Sequence, residues 1–156
     1  MSMPLTSMQK KLGIEDSPEL MMEDMIKAGR GFNHPDLCRL LAMEAHKVYE
    51  MMVECGVKFQ DKVLRLGGHS APRAHLPENE SGGGIVVPMH KYLKKAGILF
   101  QNRTNVEEII RGENGVTGII VSEKYNFEAG ANSGQFAYRA KKGVVVASGS
   151  WGQDHL

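Results

Sequence analysis

The sequence predicts a mixed α/β fold, with α+β as the alternative, in which helices come first and strands follow. Three observations carry that reading. Apolar residues recur at spacings of three and four between residues 18 and 55. After Gly97 the texture changes to short β-branched runs separated by glycine turns. Near the end, Gly143-Val144-Val145-Val146-Ala147 is continuously apolar, as in a strand buried on both faces. At 156 residues the chain suits one domain and hardly two. It reads as a single domain with a helical part over about 16–97 and a β-rich part over about 98–149.

The first helix starts at Ser17-Pro18-Glu19. Serine caps, proline takes the first helical position, and glutamate suits the positive end. It should run through Leu20, Met21, Met25 and Ile26 to Gly29 or Gly31. Asn33 then caps a longer helix with Pro35 and Asp36 in its first turn, and Gly56 stops it. Its apolar stripe reads Leu37, Leu40, Leu41, Val48, Met51, Met52 and Cys55. Residues 60–84 are irregular, punctuated by Gly67-Gly68, Pro72, Pro77 and Ser81-Gly82-Gly83-Gly84. A third helix should occupy about 85–96 and end at Gly97, with Pro88 acceptable only in its first turn.

Ile98-Leu99-Phe100 reads as a short strand. Val106–Ile110 and Val116–Val121 read as a hairpin turned at Gly112-Glu113-Asn114-Gly115. A loose stretch over 126–134 precedes a strand over 135–140, and Gly143–Ala147 is the buried strand already noted. A strand buried on both faces needs neighbours on both sides, and few are available here. That is the first indication that the chain is part of a larger unit.

Composition narrows the function classes. The chain is 42% hydrophobic and 24% charged with a net charge of +1, and its lysines and arginines are scattered. Nothing suggests a nucleic-acid stripe or a polybasic membrane patch. No apolar run approaches the roughly 18 to 20 residues of a membrane span. The start carries no signal-like segment, and the compartment stays open between cytoplasm and periplasm. Cys38 and Cys55 fall on one helix, about 25 Å apart at the helical rise, beyond disulfide reach. They read as small buried hydrophobes. No Cys or His cluster has metal-ligand spacing.

Three stretches carry candidate chemistry. In Leu66-Gly67-Gly68-His69-Ser70-Ala71-Pro72-Arg73-Ala74-His75, paired glycines let backbone approach a flat ligand. There His69, Arg73 and His75 have the chemistry to hold an anion or move protons; the alternative is a solvated loop. Ser81-Gly82-Gly83-Gly84 before a helix suits a phosphate, or is a linker without the full GxGxxG pattern. Val144–Gly149 is a strand ending in small residues, where a ligand can lie across the C-terminal end, or a plain strand and turn.

In order, these stretches resemble the flavin subunits of soluble fumarate reductases and flavocytochromes c over about nine-tenths of the chain. Asp16-Ser17-Pro18-Glu19 is similar to the family's DSPE helix start, Asn33-x-Pro35 to its ND-P, and Gly56-Val57-Lys58-Phe59 to G-V-x-F. Gly67-Gly68-His69-Ser70-x-x-Arg73-x-His75 resembles GGHSVPRTH, the most specific match, and Ser81-Gly82-Gly83-Gly84 resembles the G-x-G that follows it. Thr104-x-Val106 and Gly115–Val121 resemble the family's meander, and Ala147-Ser148-Gly149-Ser150-Trp151-Gly152 its ATGGFG.

The resemblance implies an FAD-dependent oxidoreductase that reduces an activated C=C bond of a small unsaturated carboxylate. Hydride would pass from flavin N5 to one carbon while a side chain protonates the other. It implies that Ala147, Ser148 and Gly149 lie on the dinucleotide side, that Val106 meets adenine through its backbone, and that Gly67 and Gly68 approach the flavin. Leu66, His69 and Ser70 would face the substrate, with Arg73 and His75 orienting the loop or neutralising an anion. There are departures: Ser148 and Ser150 replace a threonine and a glycine of ATGG, and Leu66 stands where some relatives carry methionine. Neither the GxGxxG unit nor the family's downstream proton-donating arginine is present, so weak FAD binding and negligible activity are expected of this chain alone. An exposed apolar edge should also favour self-association. Two alternatives remain at this point. One is a cofactor-free interaction module that keeps the fold; the other is a related flavoprotein of the ketosteroid dehydrogenase or aspartate oxidase type.

Overall fold

In the computed structural model, which describes residues 1–113, 115–126 and 134–149, the chain divides into two units, Met1–Leu99 and Phe100–Leu156. The first holds helices. Thr6-Ser7-Met8-Gln9 is a capping box: the Thr6 hydroxyl accepts from the Gln9 amide, and the Gln9 side chain accepts from the Thr6 amide. It starts a short helix, α1 (Ser7–Lys11), that the sequence reading missed. Helix α2 (Pro18–Ala28) begins as expected, with the Ser17 hydroxyl accepting from the Leu20 amide at 3.0 Å.

Helix α3 (Pro35–Glu54) is capped by His34 rather than Asn33, with no side-chain hydrogen bond at the cap. The Asn33 side chain instead lies over Gly29, where a Cβ would collide with it. Its interior face is Cys38, Ala42, Ala45, Tyr49 and Met52. Of the predicted stripe, Met52 and Cys55 are buried, while Leu37, Leu40, Leu41, Val48 and Met51 are exposed. Apolar residues occupy both sides of this helix, and its small side chains let it approach its neighbours closely, so the small-residue face turns inward. Both cysteines are buried and free, as expected.

Helix α4 (Gly83–Lys95) starts two residues earlier than expected, which puts Pro88 in its second turn. Pro88 then has no N–H to offer the Gly84 carbonyl. The core of this unit is Met3, Ala45, Tyr49, Met52, Val57 and Phe59, with Tyr49 and Phe59 stacked at 4.8 Å. Among the described residues, no helix is long and apolar enough to cross a membrane.

The second unit is a sheet of order β1-β2-β3, antiparallel throughout, from β1 (Asn105–Gly112), β2 (Gly115–Ser122) and β3 (Gln135–Arg139). The predicted hairpin is present. Gly118 is required where β3 crosses, because a Cβ there would strike the Tyr138 carbonyl. Helices and antiparallel strands are thus segregated along a mixed chain. Two expected strands are absent. Residues 98–100 do not form a strand, and Leu99 is 96% exposed. Residues 143–147 also form no ladder, and Val145 is 91% exposed. An apolar run becomes a buried strand only when strands pair on both sides, and among the described residues the sheet ends at β1 and β3.

Candidate functional site

The candidate loop is built on a narrow neck. Leu64 and Ala74 pair antiparallel, with the Leu64 N–H to the Ala74 carbonyl at 2.9 Å and the Ala74 N–H returning at 3.0 Å. The tip begins with a turn over Leu66–His69, closed by the His69 N–H to the Leu66 carbonyl at 3.1 Å. Gly68 is the third residue of that turn with φ +83°, the position where a type II turn needs positive φ. A Cβ built on Gly67 or Gly68 would meet nothing within 4 Å, so bare backbone faces open space.

Beneath the tip lies a buried ion-pair cluster. Arg73, only 1% exposed, donates through Nε and Nη2 to both oxygens of Asp16, at 3.1 and 2.8 Å. Its Nη1 donates to Asp24 Oδ2 at 2.6 Å. Asp16 stands just before the Ser17 cap of α2 and Asp24 in the helix's second turn, 57 and 49 residues from Arg73 in sequence. Gln9 Nε2 adds bonds to Asp16 Oδ2 and the Pro72 carbonyl, at 2.8 and 2.7 Å. The Asp24 carboxyl is pushed up by burial, but bonds from the Ser70 amide and hydroxyl and from Arg73 outweigh this and hold it below the usual range.

Residues Gly67, Gly68, His69 and Arg73 line a cavity of about 430 Å³ together with Asp24, Met21 and Met25. His69 Nε2 lies 3.3 Å from the Ser2 hydroxyl, and its Nδ1 is buried with no hydrogen-bond partner among the described residues. Two of the candidate residues are turned inward. Arg73 directs all its guanidinium nitrogens at carboxylates, one cation against two anions, which suits orienting the loop rather than neutralising a bound anion. His75 is 1% exposed and sits in the core, its ring 4.7 Å from Tyr49 and 6.1 Å from Phe59. Burial lowers its pKa, only partly offset by the Met3 carbonyl, so it is held neutral. Leu66 is half exposed at the first corner of the turn, and Ser70 bonds to Asp24. Asp16 and Asp24 were missed, because nothing local in the sequence links α2 to a loop about fifty residues on.

The glycine run at 81–84 offers less than its sequence suggested. The N–H groups of Gly84 and Ile85 are spent on the Ser81 and Gly82 carbonyls, and a Cβ at Gly84 would strike Asn79. Glycine is needed there for close packing.

In the second unit, residues 144–148 run alongside β1. They share with Asn105, Val106 and Glu107 a trough of about 660 Å³. Val106, half exposed beside a β-bulge between itself and Glu108, therefore stands with Ala147 and Ser148 on one surface. Gly149 follows with φ +87°, and Ser150–Gly152 lie outside the described residues.

The model of the FAD binding domain family matches residues 1–156. The chain is 32% identical over 152 residues to the acrylate reductase flavoprotein subunit of Shewanella woodyi, covering 97% of this chain and 30% of that protein. It is 31% identical over 162 residues to urocanate reductase of Eggerthella lenta, covering 99% of this chain and 25% of that protein. Among solved structures, the open conformation of a flavocytochrome c3 fumarate reductase superposes with a TM-score of 0.73 at 28% identity, over 80% of this chain and 22% of that one. The chain thus spans about a third or less of the length of these relatives. On the match over its whole length and on these relatives, the chain belongs to the FAD binding domain family.

Proposed function

We propose that the chain is the flavin- and substrate-facing part of an FAD-dependent reductase acting on the activated C=C bond of a small unsaturated carboxylate. The observation that carries this is the Leu66–His69 turn. It offers the bare backbone of Gly67 and Gly68 to a cavity while a buried ion pair fixes the loop behind it. These residues fit a flat ring system: no Cβ fills the approach, and His69 keeps an unpartnered ring nitrogen. FAD, when bound, supplies a hydride acceptor and donor at its flavin N5.

The chain's own residues would do the rest. Gly67 and Gly68 hold the ring edge through backbone. His69, Ser70 and Leu66 belong to the substrate side, and Arg73 and Asp16 keep the loop in register. Val106, Ala147, Ser148 and Gly149 are proposed for the dinucleotide. The relatives named for acrylate, urocanate and fumarate support the substrate class.

The test is a titration of the isotopically labelled chain with FAD and then fumarate or acrylate, read by amide chemical shifts. Millimolar FAD is expected to perturb Gly67–His69 and the Val106 and Ala147–Gly149 amides, without turnover from reduced viologen. No perturbation at either group would overturn the proposal, and micromolar binding with turnover would overturn the expectation of an inactive chain.

A further inference from the structure

We propose that Asp24 is the positioning residue for the ligand-facing loop, acting through Ser70. The inference rests on the reading of Gly67–His69 as the segment that meets the ligand. One oxygen of Asp24, Oδ2, accepts three bonds: from the Ser70 amide at 2.8 Å, the Ser70 hydroxyl at 2.8 Å and Arg73 Nη1 at 2.6 Å. The Ser70 N–H belongs to the same rigid peptide plane as the His69 carbonyl. Fixing that N–H therefore fixes the direction in which the chain leaves the turn, and with it the carriage of His69. Arg65 Nε takes the other side of that plane, donating to the His69 carbonyl at 2.9 Å.

The two carboxylates under the loop divide the work. Asp16, 1% exposed, takes Arg73, Gln9 and the Ser17 amide, all interior partners. Asp24, 14% exposed, is the one that reaches the loop backbone and also stands on the cavity wall with Gly67, Gly68 and His69. Convergence of three donors on one oxygen calls for an ionised acceptor, since charge-assisted bonds are about twice as strong as neutral ones. An amide at this position would keep the shape and lose the hold.

The experiment compares the labelled chain with Asp24→Asn. Exchange of the His69 and Ser70 amides is expected to quicken by about tenfold, the effect of weakening a charge-assisted bond. Tyr49 and Met52 amides in α3 should change by less than about threefold, and the Ser70 amide proton should move upfield. FAD-induced shifts at Gly67–His69 should shrink while those at Val106 and Ala147 persist. Unchanged Ser70 exchange, or equal acceleration across α3 and the loop, would overturn the proposal; so would undiminished FAD shifts at Gly67–His69.

Ser70→Ala is the second variant, should Asp24→Asn fail to fold. It spares the Arg73 pairs and the Ser70 amide's bond to Asp24 and removes only the hydroxyl's, so the His69 and Ser70 amides should exchange less than about threefold faster at an unchanged melting temperature; a tenfold acceleration with the amide's bond to Asp24 still available overturns the idea. If FAD shifts nothing at Gly67–His69 in the unmodified chain, the functional reading fails, whatever Asp24 does to the loop.

Discussion

Arg73→Met is the sharpest test of what holds the loop. The substitution keeps most of the side-chain volume but removes the cation that three bonds of 2.6 to 3.1 Å tie to Asp16 and Asp24. Both carboxylates then remain where Arg73 and Asp16 are each 1% exposed. Breaking a buried pair by removing one partner costs about 3 to 5 kcal/mol, because the remaining charge is uncompensated. A unit of the length of Met1–Leu99 has a total stability of about 5 to 15 kcal/mol. The variant should therefore lose about a fifth or more of its margin, read as a lower urea midpoint by helical circular dichroism. Adding Asp16→Asn and Asp24→Asn to the same chain should recover much of the loss, since no unpaired charge stays behind. A cost under about 1 kcal/mol would refute the reasoning, because it would equate this cluster with an exposed surface pair.

Two further outcomes are expected. His75 is held neutral by burial, while the unfolded chain takes up its proton near pH 6.5, so the unfolded state binds more protons below that pH. Its contribution to stability should be complete above about pH 6.5 and fall away as pH drops through the lowered folded value. The urea midpoint between pH 7.5 and 5.5 should therefore decline more in the unmodified chain than in His75→Gln, and equal declines would refute this. The outer face of α3 leaves Leu37, Leu40 and Leu41 more than half exposed, beside Phe32 at 92%, and should drive self-association. Sedimentation velocity should show Leu41→Glu shifting the chain toward monomer, and a monodisperse monomer without the substitution would count against the idea.

How much of this was legible follows from the range of each interaction. Helix α2 could be read because Ser17, Pro18 and Glu19 act within one turn. The β1–β2 hairpin was legible for the same reason. Thr6-x-x-Gln9 carried an equally local signal for α1, a capping box that the reading passed over. The buried face of α3 was not legible, because Leu41 and Ala42 are both apolar and only the neighbours across the interface choose between them. The run at Val144–Val146 failed likewise: apolarity describes what a strand needs, not whether partners are present. Gly67, Gly68 and His69, which line the cavity, could be singled out from sequence as candidates. The pairing of Arg73 with Asp16 and Asp24 could not, nor could the removal of His75 into the aromatic core.

The ties of the loop have a kinetic consequence. Its bonds to Asp24, Arg73's partners, Gln9 and Met3 span between 46 and 72 residues. Each such closure must be reached by diffusion of a long chain segment, whose entropic cost is met before any bond forms. Helices α2 and α3, by contrast, are secured by contacts within a few residues. The loop is therefore expected to assemble late, once α2 and the residue before its cap have brought the two carboxylates beneath it.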